Sequence, residues 1–391
     1  MAFSTLTPAP IRPGLFTQDH EALRSSARAF IEKELLPHAD GWEAADGFPD
    51  SVFTQLGEAG FLGLTYPERL GGQGGDYLSG LVFKEEMTRC GSGGLSMAVA
   101  VQTDMATPPI LKFGTPEQQE EYLRPAIAGT SVACLGITEP EAGSDVANIQ
   151  TRARRDGSDW VINGRKIFIT NGVRAHYCTL VARTSDEPGH NSFSLFIVPT
   201  DLPGWSVARK LDKLGMRSSD TAEIAIDDVR VPADALLGEE NAGFPQIMWE
   251  LQGERLVGAA GQVAGAAFLL EKCIAYAKER KTFGKPIGSY QAIGHMIADL
   301  ATKVEASRAL IYDAAWRFAT GTYPVREITT AKLYGSIISN EVTNAAMQIF
   351  GGAAYTTDLP IERAWRDTRL IRIGAGADEV MREIIAKTMG L

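Results

Sequence analysis

The sequence predicts a multidomain α+β fold: an N-terminal α-helical domain, a central β domain and a C-terminal four-helix bundle. Apolar residues such as Leu23 and Ala27 recur at helical spacing through the first third of the chain. Short apolar runs separated by turn residues begin near Cys134, and helical spacing returns from Phe244. These three observations place the domains at 1–134, 135–243 and 244–391.

The first domain contains clear helix boundaries. Thr17 or Asp19 can cap the first helix, and Pro37 ends it. Further helices are predicted near 77–90 and 95–113. Thr115-Pro116 combines a capping residue with proline at the first helical position, which predicts that another helix begins there.

The middle of the chain is typical of strands and turns. The segment Trp160–Ile169 has apolar runs on both sides of Asn163-Gly164, which predicts a hairpin with its turn at that pair. Thr179–Ala182, Phe193–Val198 and Glu223–Val229 are further predicted strands.

The last part of the chain predicts the bundle. Residues 246–280 contain no proline and predict one long helix, with further helices over 290–320, 326–350 and 378–389. Gly258, Gly261 and Gly265 recur along the long helix at spacings of three and four residues. They allow another helix to approach closely.

Composition excludes several classes of function. The chain has 391 residues, of which 45% are apolar and 22% charged, as in ordinary globular proteins. A net charge of −10 argues against binding nucleic acid or an anionic membrane surface. No stretch approaches the roughly 20 apolar residues of a membrane span. The four cysteines lie far apart in the sequence, which suggests neither a disulfide framework nor a metal site.

The start of the chain bears on where the protein acts. MAFSTLTPAPIRPG has no apolar signal core and only one basic residue, so we expect neither a secretory signal nor a transit peptide. A cytoplasmic location is the prediction.

Four segments carry the chemical information. Gly136–Asp145 offers hydroxyls and a glycine turn with free backbone N–H groups, which suit a polar ring edge or a phosphate. Lys166–Gly172 places Phe168 and Thr170 on one face of a strand, where they can flank a planar cofactor. Arg280 can serve a pyrophosphate, and Gln348–Asp367 contains a glycine pair. Taken singly, each segment also fits an ordinary turn, strand or helix end.

Taken together and in this order, the segments resemble the acyl-CoA dehydrogenase family of flavoproteins over nearly the whole chain. Gly136–Asp145 looks like the first family signature and Gln348–Asp367 like the second. Asn148 and Ala354 depart from the signatures by adding a little side chain where smaller residues are usual. Neither change removes a polar contact.

The resemblance implies FAD between the β domain and the bundle, with an acyl thioester against the flavin. It implies that Thr138 and Thr170 hydrogen-bond the ring edge and that Phe168 packs on the ring. It implies that residues of the bundle in one subunit contact the FAD of a neighbouring subunit. The resemblance therefore implies an oligomer, usually a homotetramer. Ala377 lacks the hydroxyl with which a threonine at this position usually contacts FAD. The implied FAD-binding residues are Leu135, Thr138, Gly143, Ser144, Phe168, Ile169, Thr170, Arg280, Phe283, Gln291, Gln348, Gly351, Gly352, Ala377 and Glu379.

The reaction of the family, α,β-desaturation, needs one strong base near the substrate α-carbon. Many members carry it as Glu after a Tyr, but here Gly374 and Ala375 occupy those positions. The segment Glu254-Arg255-Leu256 resembles the alternative location found in the isovaleryl-CoA and long-chain types. We therefore predict Glu254 as the base, with Glu250, one helical turn earlier, as its rival.

The resemblance also implies the substrate contacts. The Ala375 backbone N–H would hydrogen-bond the thioester carbonyl, and Gly374 leaves room beside the β-carbon for a branch or a bent chain. Gln102 and Thr103 resemble positions at the far end of the acyl pocket. The implied substrate-binding residues are Ser144, Arg255, Gly374, Ala375, Gly376, Gln102 and Thr103.

The predicted function is oxidation of a short, branched or medium-chain acyl-CoA, with electrons passed to an electron-transfer flavoprotein. One alternative is the same chemistry on an acyl group carried by an acyl carrier protein. A flavin oxidase or monooxygenase on this fold is another, and a non-enzymatic binding protein is a third. Because the chain retains a candidate base, a monooxygenase and a non-enzymatic binding protein are less favoured.

Overall fold

The computed structural model describes residues 14–187 and 189–391. The prediction that the chain starts without a targeting signal concerns residues outside this range. In the N-terminal domain, Thr17 caps the first helix and forms a capping box with His20. The helices are α1 (Gln18–Phe30), α2 (Ala39–Ala44), α3 (Ser51–Glu58), α4 (Tyr77–Met87), α5 (Gly93–Ala100), α6 (Pro108–Phe113), α7 (Pro116–Gln118) and α8 (Arg124–Ile127).

The helix predicted over 95–113 is not continuous. After α5 the chain forms a π-helical turn over Val101–Ala106, and α6 then begins at Pro108-Pro109. The prolines cannot donate the backbone hydrogen bonds that would continue the earlier helix. The break leaves Asp104 on a turn of a rare kind that is frequent at functional sites.

The middle domain is one twisted sheet. Its order is β6-β7-β3-β2-β4-β5-β8, and β1 pairs in parallel with β4, which sets the buried Cys134 opposite the buried Cys178. The strands are β1 (Ala133–Gly136), β2 (Arg152–Asp156), β3 (Asp159–Thr170), β4 (Tyr177–Arg183), β5 (Phe193–Pro199), β6 (Trp205–Lys210), β7 (Thr221–Val231) and β8 (Leu236–Leu237).

The hairpin predicted at Asn163-Gly164 is wrong. β3 runs straight through this pair, because β7 pairs with it on both sides and absorbs the irregularity as a bulge. Asn163 exchanges two hydrogen bonds of 2.9 Å with Asp228 of β7. The turn that joins β2 to β3 lies earlier, at Gly157, whose φ of +64° favours glycine.

The C-terminal domain is the predicted bundle of long helices. It contains α9 (Gly243–Glu279), a small hairpin of β9 (Lys281–Thr282) and β10 (Lys285–Pro286), α10 (Gln291–Ala319), α11 (Val325–Phe350), the short α12 (Ile361–Thr368) and α13 (Asp378–Thr388). By length and composition alone α9 could cross a membrane. It is instead the central helix of the bundle, with more than half of its most apolar window buried.

One side chain joins the three domains. Asp367 of α12 accepts hydrogen bonds from the backbone N–H of Gly93, at 3.1 Å, and of Met216. A Cβ on Gly93 would lie 2.5 Å from the Asp367 carboxylate, so glycine permits this close approach. The second signature segment thus ties the bundle to both other domains.

Candidate active site

A cavity of about 340 Å³ lies between the N-terminal domain and the bundle. Its walls come from α4, from α5 with the π-helical turn, from α9 and from the segment Leu370–Ala375. Much of the wall is apolar or small, including Met97, Ala100, Val257 and Gly258. Such a space suits a hydrocarbon chain.

Glu254 is the carboxylate of α9 in this wall. Burial raises its pKa to about 7, against the opposing charges of Arg255 and Lys332, while Asp104 adds to the rise. A base whose pKa lies near neutrality is well matched to proton abstraction at physiological pH.

Glu250 is a weaker candidate. It is 3% exposed, and burial, followed by the charge of Glu254, raises its pKa well above the ordinary range. Burial and the charge of Glu254 therefore both oppose the ionised form that a base needs.

The loop from Gly374 to Ala377 is held against the same wall by charged side chains. Arg255 Nε donates to the Ala375 carbonyl at 2.9 Å, and Lys332 Nζ donates to the Gly376 carbonyl at 2.5 Å. Ala375 adopts φ +56°, a left-handed conformation that is strained for a residue with a Cβ. The structure thus brings together the predicted residues Glu254, Arg255, Ala375 and Gly376.

The start of α13 extends this network. Asp378 is buried and accepts hydrogen bonds from Arg372 Nε at 2.6 Å and Ser336 Oγ at 2.8 Å. Ala377 occupies the N-cap position without a side-chain hydrogen bond, as expected from its missing hydroxyl, and Glu379 is exposed.

The two segments predicted to line the flavin are adjacent. The Ile167 N–H donates to the Thr138 carbonyl at 2.9 Å. Lys166 is fully buried, and its Nζ donates to the Ile137 carbonyl at 3.0 Å and to Glu139 at 2.8 Å. Glu139 also accepts the backbone N–H groups of Gln150 and Thr151. The buried ion pair therefore fixes the loop after β1 to β3.

The exposed surface beside this pair fits a flat cofactor. Phe168 is 65% exposed and is held at φ +62°, so its ring lies open at the sheet surface. A Cβ on Gly143 would meet no atom within 4 Å, and Ser144 is exposed, whereas Leu135 and Thr170 are half-buried. Ile169 is buried in the sheet core, so only its backbone is available to a cofactor.

The residues predicted to contact a neighbouring subunit's FAD gather at one end of the bundle. Tyr276 near the end of α9 stacks on Phe350 at the end of α11, with ring centroids 4.2 Å apart. Phe283, at the tip of the small hairpin, is 98% exposed. Exposed as well are Arg280, Gln291, Gln348, Gly351 and Gly352.

Gln102 and Thr103 are not in the cavity wall. Gln102 is buried and hydrogen-bonds the backbone of Ala126, Ser131 and Ala133, which joins the first domain to β1. Thr103 Oγ1 donates to the Val99 carbonyl and to Asp104. The π-helical turn directs Asp104 into the wall in their place.

Sequence reasoning missed Lys84, Asp104 and Lys332, which all line the cavity. Asp104 and Lys332 each interrupt a stretch without other charges, and a lone charge in such a stretch is a detectable signal. Lys84 is followed directly by Glu85 and Glu86, so it does not stand out in this way. The buried partnership of Lys166 with Glu139 leaves no such signal, because their separation along the chain follows no simple period.

Three protein-family models match this chain, one after another along the sequence. They describe the N-terminal, middle and C-terminal domains of acyl-CoA dehydrogenase, over residues 17–130, 134–229 and 241–390. A probable acyl-CoA dehydrogenase of Bacillus subtilis is 40% identical over 95% of this chain and 98% of its own length. The mouse mitochondrial long-chain specific acyl-CoA dehydrogenase is 38% identical over 98% of this chain and 89% of its own length. The crystal structure of a probable acyl-CoA dehydrogenase from Mycobacterium abscessus superposes with a TM-score of 0.94, at 41% identity, covering 96% of this chain and all of that one.

Proposed function

Because the chain belongs to the acyl-CoA dehydrogenase family of FAD-dependent oxidoreductases, we propose that it desaturates an acyl-CoA with Glu254 as the base. The family resemblance, the fold class, the enzyme class and the FAD cofactor predicted from the sequence are confirmed. The observation that carries the assignment of the base is a buried carboxylate in the wall of an acyl-sized cavity, beside the loop that contains Ala375.

The residues of this chain have distinct tasks in the proposed reaction. Glu254 removes the α-proton and holds it on its carboxylate. The backbone N–H of Ala375 donates to the thioester carbonyl oxygen, where negative charge develops. Arg255 and Lys332 hold that loop through the Ala375 and Gly376 carbonyls. FAD, when bound, accepts the hydride from the β-carbon.

FAD would rest against two surfaces. Phe168 would pack on the ring, and Thr138 and Thr170 would hydrogen-bond its edge. The exposed residues Arg280 and Phe283 would reach the FAD of a neighbouring subunit. From the family resemblance we propose a homotetramer that passes electrons to an electron-transfer flavoprotein in the cytoplasm.

The acyl group is proposed to be short, branched or of medium length. A Cβ on Gly374 would have the Leu370 carbonyl oxygen as its nearest neighbour, at 3.7 Å, and Gly374 is not in the left-handed region. Glycine is therefore not needed there by the backbone, and its effect is to leave space in the cavity wall.

Replacing Gly374 with Tyr should fill that space and disfavour branched substrates. One methyl group contributes about 0.8 kcal/mol on burial, so the loss of preference should be several-fold. The measurement is the ratio of kcat/KM for a branched and a straight acyl-CoA of equal carbon number. Gly374→Ala is the control and should fold normally. An unchanged ratio in a stable Gly374→Tyr protein would remove Gly374 from the branch pocket.

The pH dependence of catalysis should report Glu254. Its raised pKa of about 7 means that the required carboxylate form is lost as the pH falls through this value. We expect kcat/KM to fall about tenfold per pH unit below neutrality and to level off above it. A profile that is flat down to the ordinary pKa of glutamate would contradict a buried base.

Two measurements separate the alternatives. An oxidase would reoxidise its substrate-reduced flavin rapidly with oxygen alone, whereas the proposed enzyme needs an electron-transfer flavoprotein for fast turnover. Comparing one acyl group carried by CoA and by an acyl carrier protein decides between the two thioester carriers.

A further inference from the structure

Two charged side chains stand in the acyl cavity beyond the catalytic carboxylate. Lys84 comes from α4, where its neighbours Leu81, Val82 and Phe83 are buried, and Asp104 comes from the π-helical turn. Both line the same cavity as Glu254. The mechanism proposed above uses neither of them.

The position of Lys84 sets its depth in the cavity. Its alkyl chain crosses α9 at Gly261, where an added Cβ would lie 3.2 Å from Lys84 Cε. Gly261 is two helical turns after Glu254, or about 10 Å along the axis at the usual rise of an α-helix. Lys84 therefore crosses the cavity wall about two helical turns from Glu254, whereas Asp104 is close enough to Glu254 to raise its pKa.

Both groups have defined partners in the protein. Lys84 Nζ donates to the Ser96 carbonyl at 3.1 Å, and Asp104 accepts from Thr103 Oγ1 at 3.0 Å. The two charges attract each other across the cavity. An ammonium has three donors and a carboxylate has about four acceptor sites, so each group retains capacity for a ligand.

A plain hydrocarbon chain is a poor occupant of this place. It would strip water from the ammonium and the carboxylate and give no hydrogen bond in return, which is costly for buried charges. A terminal carboxylate would face Asp104 and Glu254, and a terminal amine would face Lys84. A hydroxyl group can accept from Lys84 and donate to Asp104 at once.

We infer that the preferred substrate is an acyl thioester whose chain carries a hydroxyl group held by Lys84 and Asp104. The inference rests on the proposed function and refines it, because it names the chemical class of the acyl chain. It makes Lys84 and Asp104 specificity-determining residues of the acyl cavity.

The test compares substrates that differ only in a terminal hydroxyl or methyl group. ω-Hydroxyoctanoyl-CoA and nonanoyl-CoA are nearly isosteric, and the corresponding pairs built on hexanoyl and decanoyl chains vary the depth. Flavin bleaching gives kcat/KM for each on the FAD-loaded enzyme. We expect at least one hydroxylated chain to exceed its methyl partner by about tenfold, the scale of leaving a buried polar group unpaired.

Two variants locate the preference. Lys84→Met and Asp104→Leu keep the approximate size of each side chain and remove its charge, so each should lower the hydroxyl-to-methyl ratio about tenfold. Lys33→Met, at an exposed lysine of the same domain, is the matched control and should leave the ratio unchanged. If one cavity variant fails to fold, the hydroxyl-to-methyl ratios of the other variant and of the parent still test the inference.

The outcomes are separable. Equal or better turnover of methyl-ended chains at every length overturns the inference and leaves the proposed function intact. A hydroxyl preference that survives in both cavity variants also overturns it, because the group would then be recognised elsewhere. If no acyl-CoA bleaches the flavin, the proposed function fails and the inference fails with it.

Discussion

Glu254→Gln should retain FAD and lose flavin reduction by substrate by a factor of roughly 10²–10⁴ or more. The amide keeps the size of the side chain but cannot accept the α-proton. Burial already opposes ionisation of Glu254, so the neutral amide should not destabilise the fold. The measurement is anaerobic bleaching of the flavin by an acyl-CoA.

Glu250→Gln is the matched control. It lies one turn away on α9 and undergoes the same chemical change, but burial and the charge of Glu254 oppose its ionised form. We expect bleaching close to that of the parent. The opposite pattern, in which Glu250→Gln loses flavin bleaching and Glu254→Gln keeps it, would show that the base has been assigned to the wrong residue.

Lys166→Met should have the largest effect on stability. Burial opposes the charge on Glu139. The charge of Lys166 and the hydrogen bonds that Glu139 accepts outweigh burial and keep the pKa of Glu139 below its ordinary value. Removing Lys166 leaves a buried carboxylate without its cation, which typically costs about 3–5 kcal/mol. The loop after β1 would lose its attachment to β3, so FAD should also bind less tightly.

The measurement is thermal release of FAD, followed by flavin fluorescence. An apparent release temperature lower by roughly ten degrees is expected from the scale of that penalty. The double variant Glu139→Gln/Lys166→Met removes both charges and should recover part of the loss. Lys33→Met, at an exposed lysine of the N-terminal domain, should change nothing. A release temperature equal to that of the parent would refute a structural role for the pair.

The structure brings some of the site residues predicted from the sequence together and places others elsewhere. Glu254 and Arg255 are found together with Ala375 and Gly376, because the motif that predicts them carries its own local geometry on one helix. Gln102 was expected in the acyl pocket, but it hydrogen-bonds the backbone between two domains. The π-helical turn shifts which side chain faces the cavity, and no local pattern indicates that turn.

The sequence by itself determines the order of helical, β and helical domains and the bounds of the long helices within a few residues. It also determines the family and the absence of a glutamate at Ala375. These are properties of consecutive residues, because apolar spacing, capping residues and motifs are local. The sequence alone therefore carries the identity of the cofactor and the class of reaction.

Only the tertiary structure decides the path of β3 through Asn163-Gly164, the burial of Lys166 with Glu139, and the placing of Lys84 and Asp104 in the wall of one cavity. β3 continues because β7 pairs with it on both sides of the glycine. The Lys166–Glu139 ion pair forms, and Lys84 and Asp104 come to line one cavity, because separate elements pack against each other. Contacts between residues distant in the chain depend on that packing, and local periodicity does not encode it.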